Sequence, residues 1–161
     1  MLWGYKGALV TIFGMSSRSY PSQPIPAVGA FIIRDGKILL IRRAYEPCAG
    51  KWSVPGGTIK LGETTIDALR REVFEELGVK LKSIKLFDIY DYISRDKNGR
   101  IKYHYLIIDF LVNPESFKIT PSSEILEYRF FTRDEALGLA DLVSSVRVVM
   151  EKHPEIFESK G

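Results

Sequence analysis

The sequence predicts an α+β fold, an α/β/α sandwich around a mixed β-sheet, and three observations carry that expectation. Two hairpin signals, Asp35-Gly36 and Asn98-Gly99, each lie between runs rich in β-branched and aromatic residues. Ile66, Leu69, Val73 and Leu77 recur at three- and four-residue steps, the stripe of a helix with one buried face. The strands are joined by hairpins rather than by regular βαβ alternation, which favours a mixed sheet with a few helices packed on it.

The bulk composition agrees. A chain of 161 residues with 45% hydrophobic content has enough apolar side chains for one real core, and is neither disordered nor fibrous. Its 23 basic and 20 acidic residues are interspersed and leave a net charge of +3. That balance does not build a concentrated positive surface, so no nucleic-acid partner is expected. The single cysteine, Cys48, excludes an intrachain disulfide and a cysteine zinc site, and fits a reducing, cytoplasmic setting.

Taken in order, residues 1–19 read as an N-terminal extension or arm and residues 20–161 as the domain proper. MLWGYKGALVTIFGM is apolar with a lone Lys6, and too short for a membrane span of about 20 residues. It leaves three readings open: an extra strand or dimer arm, a start assigned too early with Met15 as the true one, or a signal-peptide core. SSRSYPSQPIP, with three prolines, is an extended lead-in. VGAFII and ILLIRR then form a hairpin about Asp35-Gly36, and AYEPCAGKWSVPGG is a loop. Thr64 or Thr65 caps a helix that runs to about Leu77 and stops at Gly78. KSIKLFDIYDYI and RIKYHYLIIDFLV pair about RDKNG, ILEYRFF is a further strand, and Arg133 to about Lys152 turns helical.

The chemistry concentrates in GTIKLGETTIDALRREVFEELGV, Gly57 to Val79. Glu72, Glu75 and Glu76 share a helix face about a quarter turn or more from the apolar stripe, where like charges repel unless solvent or a cation separates them. Hard carboxylate oxygens on a rigid helix suit a magnesium ion, which keeps several waters and commonly shares substrate phosphates. By periodicity alone a solvated acidic face explains the same residues.

The whole pattern, through the family that it resembles, favours the metal reading. From Gly57 there are five residues to Glu63, seven more, then Arg71-Glu72, apolar Val73, one residue, Glu75-Glu76, one residue, Gly78 and apolar Val79. This resembles the Nudix box at every defined position, and the likeness extends from about Tyr20 to Leu142, including KWSVPGG and EILEYRFFTRDEA. The resemblance implies a Nudix fold, a cytoplasmic hydrolase of small nucleotide substrates, a homodimer by family habit, and Mg2+ with Mn2+ as a substitute. It implies that Glu72, Glu75 and Glu76 bind the metal and that Arg71 pairs with Glu63 to orient the site. Gly56 and Gly57 let the backbone approach a phosphate closely, with Arg42, Arg43 and Lys51 as further phosphate contacts. Glu76 is the first candidate for the general base, and Glu124 or Glu127 the second.

The remaining side chains have plainer roles. Trp52 is expected to pack under the box, Tyr90, Tyr92, Tyr103 and Tyr105 to line one sheet face, His104 to sit on the opposite parity, and Cys48 to be a bystander. The lead-in and the second hairpin look like the ADP-ribose and nucleotide-sugar pyrophosphatase branch, a likeness shared with MutT-type enzymes. The proline that often follows the box in ADP-ribose pyrophosphatases is absent from SRDKNG, and so is the tyrosine of many dinucleoside polyphosphate hydrolases, so specificity stays open. A non-catalytic nucleotide sensor is the rival from another class; such modules often lose box carboxylates, and here none is lost.

Overall fold

A computed structural model describes residues 18–158; the alternatives for the apolar start of the chain fall outside the described residues. Strand β1 (Ile25–Arg34) turns through Asp35 and Gly36, both at positive φ (51° and 71°), into β2 (Lys37–Arg43). Two left-handed residues in a row are what a two-residue hairpin matched to strand twist requires. Short β3 (Trp52–Ser53) and β4 (Gly56–Thr58) follow, then α1 (Thr65–Leu77). The long hairpin of β5 (Leu81–Arg95) and β6 (Ile101–Pro114) leads to β7 (Ile125–Thr132), α2 (Arg133–Leu137), α3 (Ser144–Lys152) and a 3-10 turn, Pro154–Phe157.

The strand order is β3-β2-β1-β6-β5, with β4 also on β1 and β7 also on β2. The β1–β6 pairing is parallel, running from Ile25↔Tyr105 to Ile32↔Val112, and the other pairs are antiparallel, so the sheet is mixed. Because side chains alternate along a strand, β1 and β2 feed two cores. Val28, Ala30, Ile32, Leu39 and Ile41 meet Ala68, Leu69, Val73 and Leu77 of α1 on one face. Phe31, Ile38 and Leu40 meet Val146, Val149 and Met150 of α3 on the other. Each large apolar side chain so buried contributes roughly 1.5–3 kcal/mol, which makes β1 and β2 the centre of the three-layer sandwich.

Helix α1 begins and ends where the residues dictate. Thr64 Oγ1 accepts the Asp67 N–H at 3.1 Å, and Gly78 closes the helix in the left-handed region at φ 69°. Two expectations need correction. The stretch from Arg133 to Lys152 is not one helix: it breaks at Gly138 into turns that lead to an isolated bridge at Leu142, where Trp52 N–H donates to Asp141 O and Val143 N–H to Trp52 O, both at 2.9 Å. Backbone pairing with β3 outcompetes the helical periodicity there. The segment before the box is likewise not all loop, since β3 and β4 use those same pairings and the β1 edge. Among the described residues, no helix is long and apolar enough to cross a membrane.

Candidate active site

Arg71 organises the N-terminal half of the acidic cluster. Its Nε and Nη2 donate to Glu63 Oε1 and Oε2 at 2.6 and 2.9 Å, a bidentate fork that ties the loop before α1 to the helix two turns on. Nη2 also donates to the Thr58 carbonyl at 3.1 Å, and Nη1 to Glu72 at 2.8 Å and to Glu75 at 3.2 Å. The guanidinium beside Glu63, helped by the Lys60 N–H, holds that carboxyl down at about 2, while Glu63 drives Arg71 further above its ordinary value. This pair is the brace between loop and helix that the resemblance implied.

The three box glutamates are not equivalent. Glu75 is half exposed, whereas the Glu72 side chain is largely covered and its carboxyl is raised by burial against the pull of Arg71. Glu76 does not stand a quarter turn from the apolar stripe: at about 100° per residue it falls only about 20° from Leu69. It is only 5% exposed, tucked beside Val73 and Leu69 at the edge of the apolar stripe, and its Oε2 accepts the Gly56 N–H at 3.0 Å. Burial pushes the Glu76 carboxyl up to about 8, with Glu72 and Glu124 adding repulsion and the Gly56 N–H opposing. Close packing of β4 on α1 encloses it, and a Cβ at Gly57 would meet the Glu72 carboxylate, which would have to move aside.

The chain after β6 completes the site. Thr120 and Ser122 N–H groups donate to the Leu77 and Glu76 carbonyls at 2.8 and 2.9 Å, satisfying the end of α1 and delivering Glu124 to the neighbourhood of Glu76. A small polar cavity there is lined by Arg18, Ile41, Arg43, Tyr45, Glu76 and Glu124. Arg43 donates to the Pro47 carbonyl at 2.9 Å and also borders a second, larger cavity that reaches Gly56 and Gly57. Adjacent Arg42 leaves the strand on the other side. It donates to Gly50 O and faces Asp141 and Glu127 at 3.8 and 4.0 Å, bordering neither cavity. Lys51 is exposed.

Trp52 is buried edge-on to Phe131, and Tyr92 and Tyr105 pair across β5 and β6 on the face of the larger cavity. His104 lies on the opposite face. Cys48 borders the cavity within 3.8 Å of the Tyr92 hydroxyl. Sequence reasoning missed Arg18, which reaches across 40 residues to Thr58 Oγ1 at 3.3 Å. It also missed Asp109, although a lone carboxylate inside the apolar run LIIDFLV was a visible signal.

A hard divalent cation fits this donor set by its chemistry. Glu72 and Glu76 are each destabilised as anions by burial and by neighbouring carboxylates, and the Arg71 guanidinium by itself does not neutralise them. As the side chains stand, Arg71 holds Glu72 and Glu75, and among the described residues no three of His, Cys, Asp or Glu converge on one metal position.

Comparison with known proteins agrees with this geometry. The family model described as the NUDIX domain matches residues 23–152. The chain is 34% identical over 117 residues to a protein of Methanocaldococcus jannaschii named ADP-ribose pyrophosphatase, covering 73% of this chain and 67% of that one. It is 30% identical to the NAD-capped RNA hydrolase NudC of Haemophilus influenzae, covering 73% of this chain but 44% of the relative. A MutT NUDIX hydrolase of Burkholderia pseudomallei superposes with a TM-score of 0.72 at 32% identity, over 81% of this chain and 98% of that one.

Proposed function

Because the chain belongs to the Nudix hydrolase family, we propose that it is a Mg2+-dependent pyrophosphatase of a nucleoside diphosphate linked to another moiety, with ADP-ribose or a related nucleotide sugar as substrate. The observation that carries this reading is the Arg71 fork, which fixes Glu63, Glu72 and Glu75 in one network beside the Gly56-held Glu76. No carboxylate of the box is missing, which argues against a sensor that binds without cleaving. The relative named ADP-ribose pyrophosphatase supports the substrate class.

Glu72, Glu75 and Glu76 would hold the cation, with Mn2+ as a substitute. When bound, the cation neutralises charge on the diphosphate and acidifies the attacking water. Arg43 and Arg18, on the wall of the small cavity, offset further phosphate charge as the P–O bond breaks. The Gly56 N–H keeps the Glu76 carboxylate oriented. We assign Glu124 as the group that takes the water's proton: it is exposed, shares the small cavity with Glu76, and no hydrogen bond ties its side chain to another described residue. Glu76, more enclosed, is better suited to hold the metal. Water adds to one phosphorus, the bridging oxygen leaves with the other phosphate, and a nucleoside monophosphate and a phosphorylated partner result.

Chromatography of products after incubation with Mg2+ tests the reading. The panel is ADP-ribose, NADH, diadenosine polyphosphates, GDP-mannose, normal and oxidised dNTPs, and capped RNA. AMP and ribose 5-phosphate from ADP-ribose, abolished by EDTA, are expected. Pyrophosphate from a dNTP would favour the MutT-type alternative, for which the Burkholderia likeness speaks. Metal binding without turnover of any compound would overturn the catalytic reading.

A further inference from the structure

The C-terminal end of α3 is tied to β5 by ionisable side chains that stand apart from the carboxylates of the box. Asp88 Oδ2 accepts from Lys152 Nζ at 2.7 Å, and Asp88 Oδ1 accepts the Ile89 N–H at 2.8 Å. His153 places Nε2 2.9 Å from the same Asp88 Oδ2 and Nδ1 2.9 Å from Glu155 Oε1. Both ring nitrogens therefore face carboxylate oxygens, and only the imidazolium has two N–H donors to satisfy them. A β-bulge between Leu86 and Asp88 makes the arrangement, since it turns Phe87 and Asp88, neighbours in sequence, toward the same side of the sheet. The Phe87 ring packs on His153 with centroids 4.4 Å apart, and edge-on to buried Phe31.

The same strand pair carries a second titratable group. Asp109 lies opposite Asp88 in the β5–β6 register and borders the larger cavity, about 120 Å³, which opens toward Gly56 and Gly57. It is 2% exposed and makes no hydrogen bond or ion pair with a described residue. Across β1 its neighbours are Gly29 and Val54, which carry no charge. A buried, unpaired carboxyl costs far less protonated than as an anion. Burial raises Asp109 to about 7, and like charge from Asp88 adds to the shift; Arg43, Cys48, Tyr92 and Tyr105 border the same cavity. Ser145 and Val146 of α3 close that cavity on one side, so the helix that Asp88 holds is also the wall beside Asp109.

We propose that Asp88, Lys152, His153 and Asp109 form a proton-dependent latch that makes Asp88 a positioning residue acting through α3: the wall is held while His153 and Asp109 carry their protons, and loosens when they give them up. The two proton losses act in one direction. His153 loses one of its two hydrogen bonds and its attraction to Asp88. Ionised Asp109 repels Asp88 and is better solvated with α3 displaced and water admitted. Partial burial opposes the shift, yet Glu155 and Asp88 raise the His153 pKa above its ordinary 6.5, so its hold is full below 6.5 and lost as pH rises through the elevated value. Asp109 gains its charge over the same interval. Asp88 stays an anion throughout, because Lys152 and His153 outweigh its own burial and hold it at about 2. Val146, Val149 and Met150 keep α3 on its core, so the release is a local loosening of the helix. The kinetic consequence rests on the reading of the box as a nucleotide pyrophosphatase; the motion of α3 does not.

Hydrogen–deuterium exchange over Ser144–Lys152, without substrate or metal and corrected for intrinsic exchange rates, reads the latch. Steady-state kinetics with ADP-ribose and Mg2+ at pH 6 and 8.5 read its consequence. In wild type the protection of α3 should fall between these pH values. KM should rise about threefold with kcat within about twofold, as when the binding-competent fraction drops to about a third. Asp88→Asn should show the loosened helix and the raised KM already at pH 6, and Asp88→Glu should restore part of both. Asp109→Asn should do the opposite at pH 8.5, with α3 more protected and KM lower than in wild type, a gain that a merely structural contact would not give. Ratios of variant to wild type at each pH cancel the titration of Glu76, which these proteins share. Unchanged α3 protection and KM in Asp88→Asn at pH 6 would overturn the proposal. So would an Asp109→Asn protein no better protected than wild type at pH 8.5, a result that decides the matter even if Asp88→Asn does not fold. The expected exchange pattern with no turnover of ADP-ribose would uphold the latch and sink only the catalytic reading.

Discussion

Asp109→Asn should stabilise the protein at alkaline pH and change little at acid pH. The native carboxyl titrates near 7 against an ordinary value of 3.8, because folding takes it out of water beside Asp88. A raised carboxylate binds its proton more tightly in the folded chain than in the unfolded one, so stability is lost as pH rises between those two values and is level outside them. The gap of about 3 units, at 1.36 kcal/mol per unit, puts the penalty at about 4 kcal/mol above pH 7 and near zero below pH 3.8. Asparagine carries no charge to desolvate. Urea denaturation of wild type and variant at pH 4.5, 6 and 8 should therefore show a difference that grows from about 1 to about 4 kcal/mol across the series. Glu76 also titrates in this range, but it is unchanged in both proteins and cancels in the difference unless the two sites interact. A pH-independent difference, or a destabilised variant at pH 8, would refute the premise that Asp109 is a buried unpaired carboxyl.

Further outcomes follow from the site and its supports. Glu76→Gln should lose Mg2+-dependent turnover yet raise the metal-free melting temperature at neutral pH, since an enclosed ionisable group is replaced by a neutral one; a variant with full activity would remove Glu76 from the mechanism. Arg71→Lys cannot reproduce the fork to Glu63 while also reaching Glu72 and the Thr58 carbonyl, so kcat should drop roughly 10–100-fold with an unchanged far-ultraviolet spectrum. His153 bridges Asp88 and Glu155, and although its partial burial acts the other way, those carboxylates raise its pKa. Its contribution is thus full below the ordinary histidine value of 6.5 and lost as pH rises through the elevated one. His153→Ala should accordingly destabilise more at pH 5.5 than at pH 8.5, as thermal melts at the two pH values would show.

The parts of this protein legible in the sequence are those governed by neighbours along the chain. Thr64, Gly78 and the apolar stripe between them define α1 through local hydrogen bonding and periodicity, and Asp35-Gly36 defines a hairpin because those residues accept positive φ. The spacing of Glu63, Arg71, Glu72, Glu75 and Glu76 carries the likeness to the Nudix box, and two helical turns bring loop and helix within reach of one guanidinium. The same local reasoning failed between Arg133 and Lys152, where helical periodicity lost to pairing with Trp52, a partner some ninety residues earlier.

What remained was decided by long-range packing. The expectation of one shared acidic face gave Glu76 the same standing as Glu72 and Glu75, although at about 100° per residue it lies close to Leu69. Only the approach of β4 through Gly56 and Gly57 encloses it and shifts its titration. Arg18, Arg43 and Glu124 come from three distant segments and meet because β1, β2 and the chain after β6 converge at the end of α1. Asp109 faces a cavity, not a neighbouring side chain, because the parallel register of β1 on β6 puts a glycine opposite it. Local sequence thus determined which helix carries the carboxylates. The tertiary register determined which of them are buried and which guanidinium groups stand near them, because strand pairing across eighty residues is set by the burial of both sheet faces at once and leaves no periodicity to read.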